Sequence, residues 1–218
     1  MIVIAEFEPV TTFELRPSNT TKSGGKTLLC PTPYAVRMAL LDRMIRLNGV
    51  QYTLDRFDII RDMTVAMQPP SAVAINRTFQ KIIRPPFKDG KWTPTIAMRE
   101  FCIHAGALRI AFDVPDDFLL DLTSTLSAVN YFGQRGSFFQ LVDLVEEQEI
   151  PSGFVDVTRP TEFLQLGFLQ RMDDMQADAK FDDVNVFRKS TGGRRSYNVV
   201  FPYELDHNGH NHSIWRRR

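Results

Sequence analysis

The sequence predicts an α+β domain on a ferredoxin-like plan, with a basic insertion in its middle and a small β-rich extension after it. Three observations point there. The apolar periodicities run in the order strand, helix, strand, insertion, strand, helix, strand, which is the split βαβ arrangement. The chain has 218 residues, 43% of them hydrophobic and 17 of them Phe, enough to bury a substantial core. The proline- and lysine-rich insertion, about residues 68–94, separates two strands and is too long for an ordinary loop.

Residues 1–10 alternate well enough for a first strand. Residues 11–30 are polar and basic, with Gly24-Gly25 as a loop tip between Lys22 and Lys26. Thr32 is a cap and Pro33 a first-turn residue for the first helix, which Asn48-Gly49 ends. Val36, Leu40, Met44 and Leu47 form its core stripe. Residues 55–67 read as the second strand region.

After the insertion, residues 95–112 read as one long strand. Its apolar face changes parity between Phe101 and Leu108, so a bulge is predicted at Gly106. Pro115-Asp116-Asp117 opens a second helix with Phe118, Leu122, Leu126 and Val129 inward. A glycine-flanked loop at 133–137 leads to a strand at 138–145. Residues 146–153 then look like the boundary of the core, dividing a domain at 1–145 from an extension at 146–218. In that extension, 161–175 reads as a helix, with Leu164, Phe168, Met172 and Met175 on one side. Segments 180–187 and 196–205 read as a hairpin about Thr191-Gly192-Gly193.

The net charge is zero, but the charges are segregated. Residues 67–99 hold six bases and one acid, residues 184–218 seven bases and two acids, and residues 113–183 fifteen acids and four bases. This pattern predicts a phosphate-facing side and an acidic side; solvated faces without a partner are the plainer alternative. No apolar run of 18 residues exists, so no membrane span is expected. The acidic first strand does not read as a signal peptide. Cys30 and Cys102 are far apart, which argues against a disulfide framework or zinc site and suits a reducing cytoplasm. No cofactor fingerprint or nucleophile motif appears.

Three segments carry a resemblance. They are Pro31-Thr32-Pro33-Tyr34-Ala35-Val36-Arg37-Met38-Ala39-Leu40-Leu41, the stretch from Thr95 to Phe112, and Asn130-Tyr131-Phe132-Gly133-Gln134-Arg135-Gly136-Ser137-Phe138-Phe139. In this order, over about residues 1–145, they resemble the fifth CRISPR-associated protein family of the RAMP superfamily. The resemblance implies a ferredoxin-like (RRM/RAMP) core with a β-hairpin thumb at the insertion. It further implies a subunit that holds the 5′ handle of the guide RNA (crRNA) in a type I Cascade complex. The backbone subunit and the large subunit would be its neighbours, and target DNA would be met only indirectly.

Against that background, Gly133, Gln134, Arg135, Gly136 and Ser137 form a candidate phosphate-binding loop. Arg77, Lys81, Arg84, Lys88 and Lys91 are candidates to grip RNA through phosphates, with Phe79, Phe87 and Trp92 interleaved for stacking. Alternatively, the hairpin packs these aromatics on its own protein. Lys22 and Lys26 are candidate contacts or a solvated loop. Arg37 lies where the resemblance places the handle, or is a helix-surface arginine. His207, His210 and His212 sit in a polar turn read as solvated rather than metal-binding. His104 is the one histidine outside the tail, so no acid–base pair is visible and a non-catalytic role is expected. A metal-independent endoribonuclease that processes precursor guide RNA is the alternative. An RRM-like binder outside CRISPR systems lacks its aromatic strand pattern.

Overall fold

A computed structural model of the chain describes residues 1–20, 24–84, 90–162, 165–184 and 193–218. Strand β1 (Ile2–Pro9) is followed by the two-residue β2 (Gly24–Gly25) and helix α1 (Pro33–Asn48). Two short helices, α2 (Val50–Leu54) and α3 (Phe57–Asp62), precede β3 (Thr64–Gln68). Next come β4 (Ala72–Arg84), β5 (Thr93–Ala105), β6 (Leu108–Asp113), helix α4 (Leu119–Ala128) and β7 (Phe139–Glu147). The rest comprises β8 (Val155–Asp156), β9 (Phe168–Met175), β10 (Arg194–Phe201), β11 (Tyr203–Asn208) and β12 (His212–Arg217).

The core sheet has the order β7-β1-β6-β3-β8, and its neighbours are antiparallel. With α1 after β1 and α4 after β6, this is the ferredoxin-like arrangement, extended at one edge by β8. Helix α1 starts as its residues dictate: Thr32 Oγ1 accepts the Ala35 amide at 3.2 Å, and Pro33 occupies the first turn. Val36, Leu40 and Met44 are buried. Their cluster includes Phe7, Phe112, Phe118, Leu122 and Phe139.

Residues 55–67 are not mainly strand. Thr53, Phe57 and Ile60 are buried at spacings of four and three, so they belong to helices α2 and α3, and the strand proper is only β3. The long strand at 95–112 is two strands. Ala105 pairs with Ala72, whereas Leu108 pairs with Phe7 in the core sheet. Gly106, at φ +103°, turns the chain between the two sheets. The parity change in the apolar pattern therefore marks a change of sheet and not a bulge.

The insertion is a hairpin longer than the predicted 68–94. β4 and β5 pair over thirteen positions, from Ala72↔Ala105 to Arg84↔Thr93. They lie in a second sheet of order β11-β12-β4-β5-β2. None of the described residues of the predicted helix at 161–175 is helical: β9 begins by alternating, with Gln170 and Met172 buried and Leu169 and Arg171 exposed. The spacing of four between Phe168 and Met172 suits a period of two as well as 3.6. The prediction for Leu164 lies outside the described residues.

The partner of β10 is β9, from Arg194↔Met175 to Phe201↔Phe168, and not 180–187. Residues 181–184 form a 3₁₀ turn, while 185–187, Lys189, Thr191 and Gly192 lie outside the described residues. The histidine-rich turn belongs to the β11–β12 hairpin, where the His207 and His212 rings stack at 5.1 Å. Met172, Val199, Phe201 and Tyr203 share one buried cluster with Phe7 and Phe112, so 146–218 packs into the same core as 1–145. Among the described residues, no helix is long and apolar enough to cross a membrane.

Candidate nucleic-acid interface

Four segments meet beside the foot of the β4–β5 hairpin. Phe13 is bridged to Cys102 of β5 by reciprocal backbone hydrogen bonds of 2.9 and 2.8 Å. Two residues on, the Leu15 amide donates to Thr27 Oγ1 at 3.1 Å, and the Leu28 amide donates to the Leu15 carbonyl at 2.8 Å. Residues 13–16 thus lie beside 27–28. Gly25 pairs with Arg99, and the Thr27 amide donates to Glu100 Oε2 at 3.1 Å.

The glycine loop closes the other side. Gly133 and Gly136 have φ of +65° and +103°, values other residues rarely adopt. A Cβ added at Gly133 would lie 3.5 Å from Leu15 Cδ2 and 3.7 Å from Ala35 Cβ. Ser137 does not present its hydroxyl to a ligand. It is buried, and its Oγ donates to the Glu14 carbonyl at 2.8 Å, while its amide donates to the Gln134 carbonyl at 3.1 Å. Ser137 therefore anchors the loop, and Arg135 and Gln134 stand exposed on it.

The electrostatics of this foot are set by two carboxylates. Glu14 Oε1 accepts Arg16 Nε at 2.7 Å and Arg99 Nη1 at 3.0 Å. Glu100 Oε1 accepts Arg77 Nε at 2.9 Å. Lys26, Lys81, Lys91 and Arg135 are exposed and form no ion pair among the described residues. Lys22 and Lys88 lie outside the described residues, as does the Arg84 side chain. Phe79 and Trp92 are 70% and 66% exposed, so neither packs on its own protein; Phe87 lies outside the described residues.

Arg37 must be taken out of the set. It is 1% exposed, because β9 lies against α1. Its Nε donates to Asp174 Oδ1 at 2.7 Å, and its Nη1 and Nη2 donate to the Ile60 and Met63 carbonyls at 2.5 and 3.0 Å. Arg16 and Glu14 were missed in turn. They alternate in an extended segment, which places them on one face, but residues 11–30 read as a loop and gave no reason to apply that period. The C-terminal bases are also less free than their number suggests. Arg195 pairs with Asp174 at 3.2 Å, Arg216 with Asp206 at 2.8 Å and Arg218 with Glu204 at 3.2 Å, and Arg217 donates to the Pro69 carbonyl at 2.7 Å.

His104 lies on β5 against Phe13, with ring centroids 4.9 Å apart. Its Nε2 lies 2.7 Å from the Leu29 carbonyl, and its Nδ1 is buried without a partner among the described residues. Burial holds its pKa down at about 4, and the Leu29 hydrogen bond only partly offsets this. The folded state thus favours the neutral ring, while the unfolded chain binds a proton near pH 6.5. Stability from this source is complete above about pH 6.5 and is lost as pH falls toward about 4. His104→Phe is expected to flatten urea-denaturation stability across that window. An unchanged slope against pH would show that other groups carry it.

No protein-family model matches the sequence, and comparison with curated proteins finds no match. Among solved structures, the chain is similar in shape to a CRISPR protein from Archaeoglobus fulgidus, with 10% identity and a TM-score of 0.49 over 100% of this chain and 92% of that one. It is similar to a chain of the type III-B Cmr-β complex bound to cognate target RNA, at 10% identity and a TM-score of 0.47, over 72% of this chain and 61% of that chain. It is also similar to a chain of a CRISPR RNA-guided surveillance complex, at 12% identity and a TM-score of 0.41, over 97% and 88%.

Proposed function

We propose that the chain is a non-catalytic guide-RNA-binding subunit of a type I CRISPR Cascade complex, which holds the 5′ handle and bridges the backbone and large subunits. The observation that carries this reading is the meeting of the Arg135 loop, Lys26 and the foot of a long exposed hairpin, with exposed cations at the first two. Phosphate contacts need charge of this kind within reach of one strand. The sequence resemblance of 31–41, 95–112 and 130–139 supports the same assignment.

The hairpin supports the bridging role. Directly paired residues share a face, so Phe79, Met98, Lys81, Ile96 and Ile83 lie on the face that holds Val73, Ile75 and Cys102 at the base. At the base these side chains are buried. Farther out, Phe79, Ile83, Ile96 and Met98 are 70%, 67%, 60% and 46% exposed. A protruding apolar strip of this size suits a protein neighbour, here the backbone subunit. The non-catalytic reading is supported by His104, whose Nε2 is engaged at the Leu29 carbonyl.

Arg135→Ala is expected to weaken guide RNA retention and to lower the slope of log affinity against log salt by about one unit. Filter binding across a salt series reads both quantities. An unaltered affinity and slope would make Arg135 a structural loop residue. The same reactions, run in EDTA with precursor guide RNA, are expected to leave it intact. Cleavage at one position, abolished by His104→Ala, would overturn the non-catalytic reading in favour of the processing endoribonuclease.

A further inference from the structure

We infer that Arg16, positioned by Glu14, is a phosphate contact for single-stranded RNA beside the glycine loop; this rests on the RNA-binding reading above. The starting point is a surplus of charge at a buried acid. Glu14 is 8% exposed and Arg99 7% exposed, and they pair at 3.0 Å. A buried carboxylate must be paired, and one guanidinium does that. Arg16 adds a second guanidinium to the same Oε1 at 2.7 Å. Among the described residues, two guanidinium groups thus meet this one carboxylate.

The way Arg16 is held leaves it able to bind. Its Nε and Nη2 edge addresses Glu14, at 2.7 and 3.5 Å. Its Nη1 donors have no partner among the described residues, and its side chain is 28% exposed. A guanidinium already fixed along one edge loses little freedom when it takes a phosphate on another. Its surroundings are those of the proposed interface. Leu15, the preceding residue, lies against Gly133, and the Glu14 carbonyl is the acceptor that fixes Ser137. Thr27, beside Leu15, follows the exposed Lys26. Arg16, Lys26 and Arg135 thus stand on three adjoining segments, while Glu14 and Glu100 are already held by Arg99 and Arg77.

The test uses the full chain and a fluorescently labelled oligouridylate, because phosphate contacts do not depend on sequence. Affinity is measured across a salt series for wild type, Arg16→Ala, Arg16→Lys and Arg135→Ala, with the melting temperature of each. Arg16→Ala is expected to lose about tenfold in affinity at low salt and to flatten the log–log salt slope by about one unit. Arg16→Lys keeps the charge but not the fork. It is expected to retain the slope and recover only part of the affinity, and it also serves if the alanine variant folds poorly. If wild type binds and Arg135→Ala weakens it while both Arg16 variants bind as wild type does, Arg16 merely balances Glu14 and the inference fails alone. If wild type does not bind at low salt, the RNA-binding reading fails and the inference with it.

Discussion

Arg37→Ala is expected to destabilise the fold by about 3–5 kcal/mol, the range for removing one partner of a buried ion pair. Arg37 and Asp174 are each 1% exposed and are joined at 2.7 Å. The substitution also leaves the Ile60 and Met63 carbonyls without their guanidinium donors. Asp174 would keep the Met175 amide at 2.8 Å, Arg195 at 3.2 Å and Tyr197 Oη at 3.4 Å, which offsets part of the loss. A urea titration reads the effect as a lower midpoint at unchanged slope. A loss under about 1 kcal/mol would mean that Arg195 takes over the carboxylate. Because Arg37 has no surface to offer, the salt slope of RNA binding by the folded variant is expected to stay at the wild-type value.

Replacing residues 81–96 with Asn-Gly is expected to abolish assembly with a Cascade backbone subunit while leaving the melting temperature within a few degrees of wild type. Gln80 and Ala97 are directly opposite, so a two-residue turn can join them in register. The described residues removed are exposed or half-buried, and none contributes a core side chain. The deletion takes away Lys81, Lys91, Trp92 and two members of the exposed strip, Ile83 and Ile96. Size-exclusion chromatography of the co-expressed subunits reads assembly, and calorimetry reads stability. A deleted chain that still co-elutes would move the bridging surface off the hairpin. A collapse in melting temperature would show that the distal hairpin supports the fold.

The ends of α1, the buried stripe Phe118, Leu122 and Leu126, and the strands β1 and β7 are legible because each depends on local chemistry. A cap, a first-turn proline and a period of 3.6 or 2 need only near neighbours to be read. The order of these elements is enough to predict the ferredoxin-like plan. The β9 strand is not legible in the same way, since Phe168 and Met172 satisfy both periods and only pairing with β10 decides between them. Likewise, the parity change near Gly106 is visible in the sequence, but its cause is that 93–105 and 108–113 pair with different partners.

The site divides on the same line. Residue order alone locates the segments that carry cations: the basic insertion, the Gly-flanked Arg135 loop and Lys26. Which of those cations can meet a phosphate depends on the packing of the fold. Arg37 is withdrawn because Asp174, 137 residues away, lies against it, and Arg216 and Arg218 because acids across their hairpin pair with them. Arg16 enters because Arg99 already balances Glu14. Charge is a property of a residue, whereas its neutralisation depends on neighbours within about 4 Å, and in a fold rich in long-range contacts those neighbours are set by the packing of distant segments.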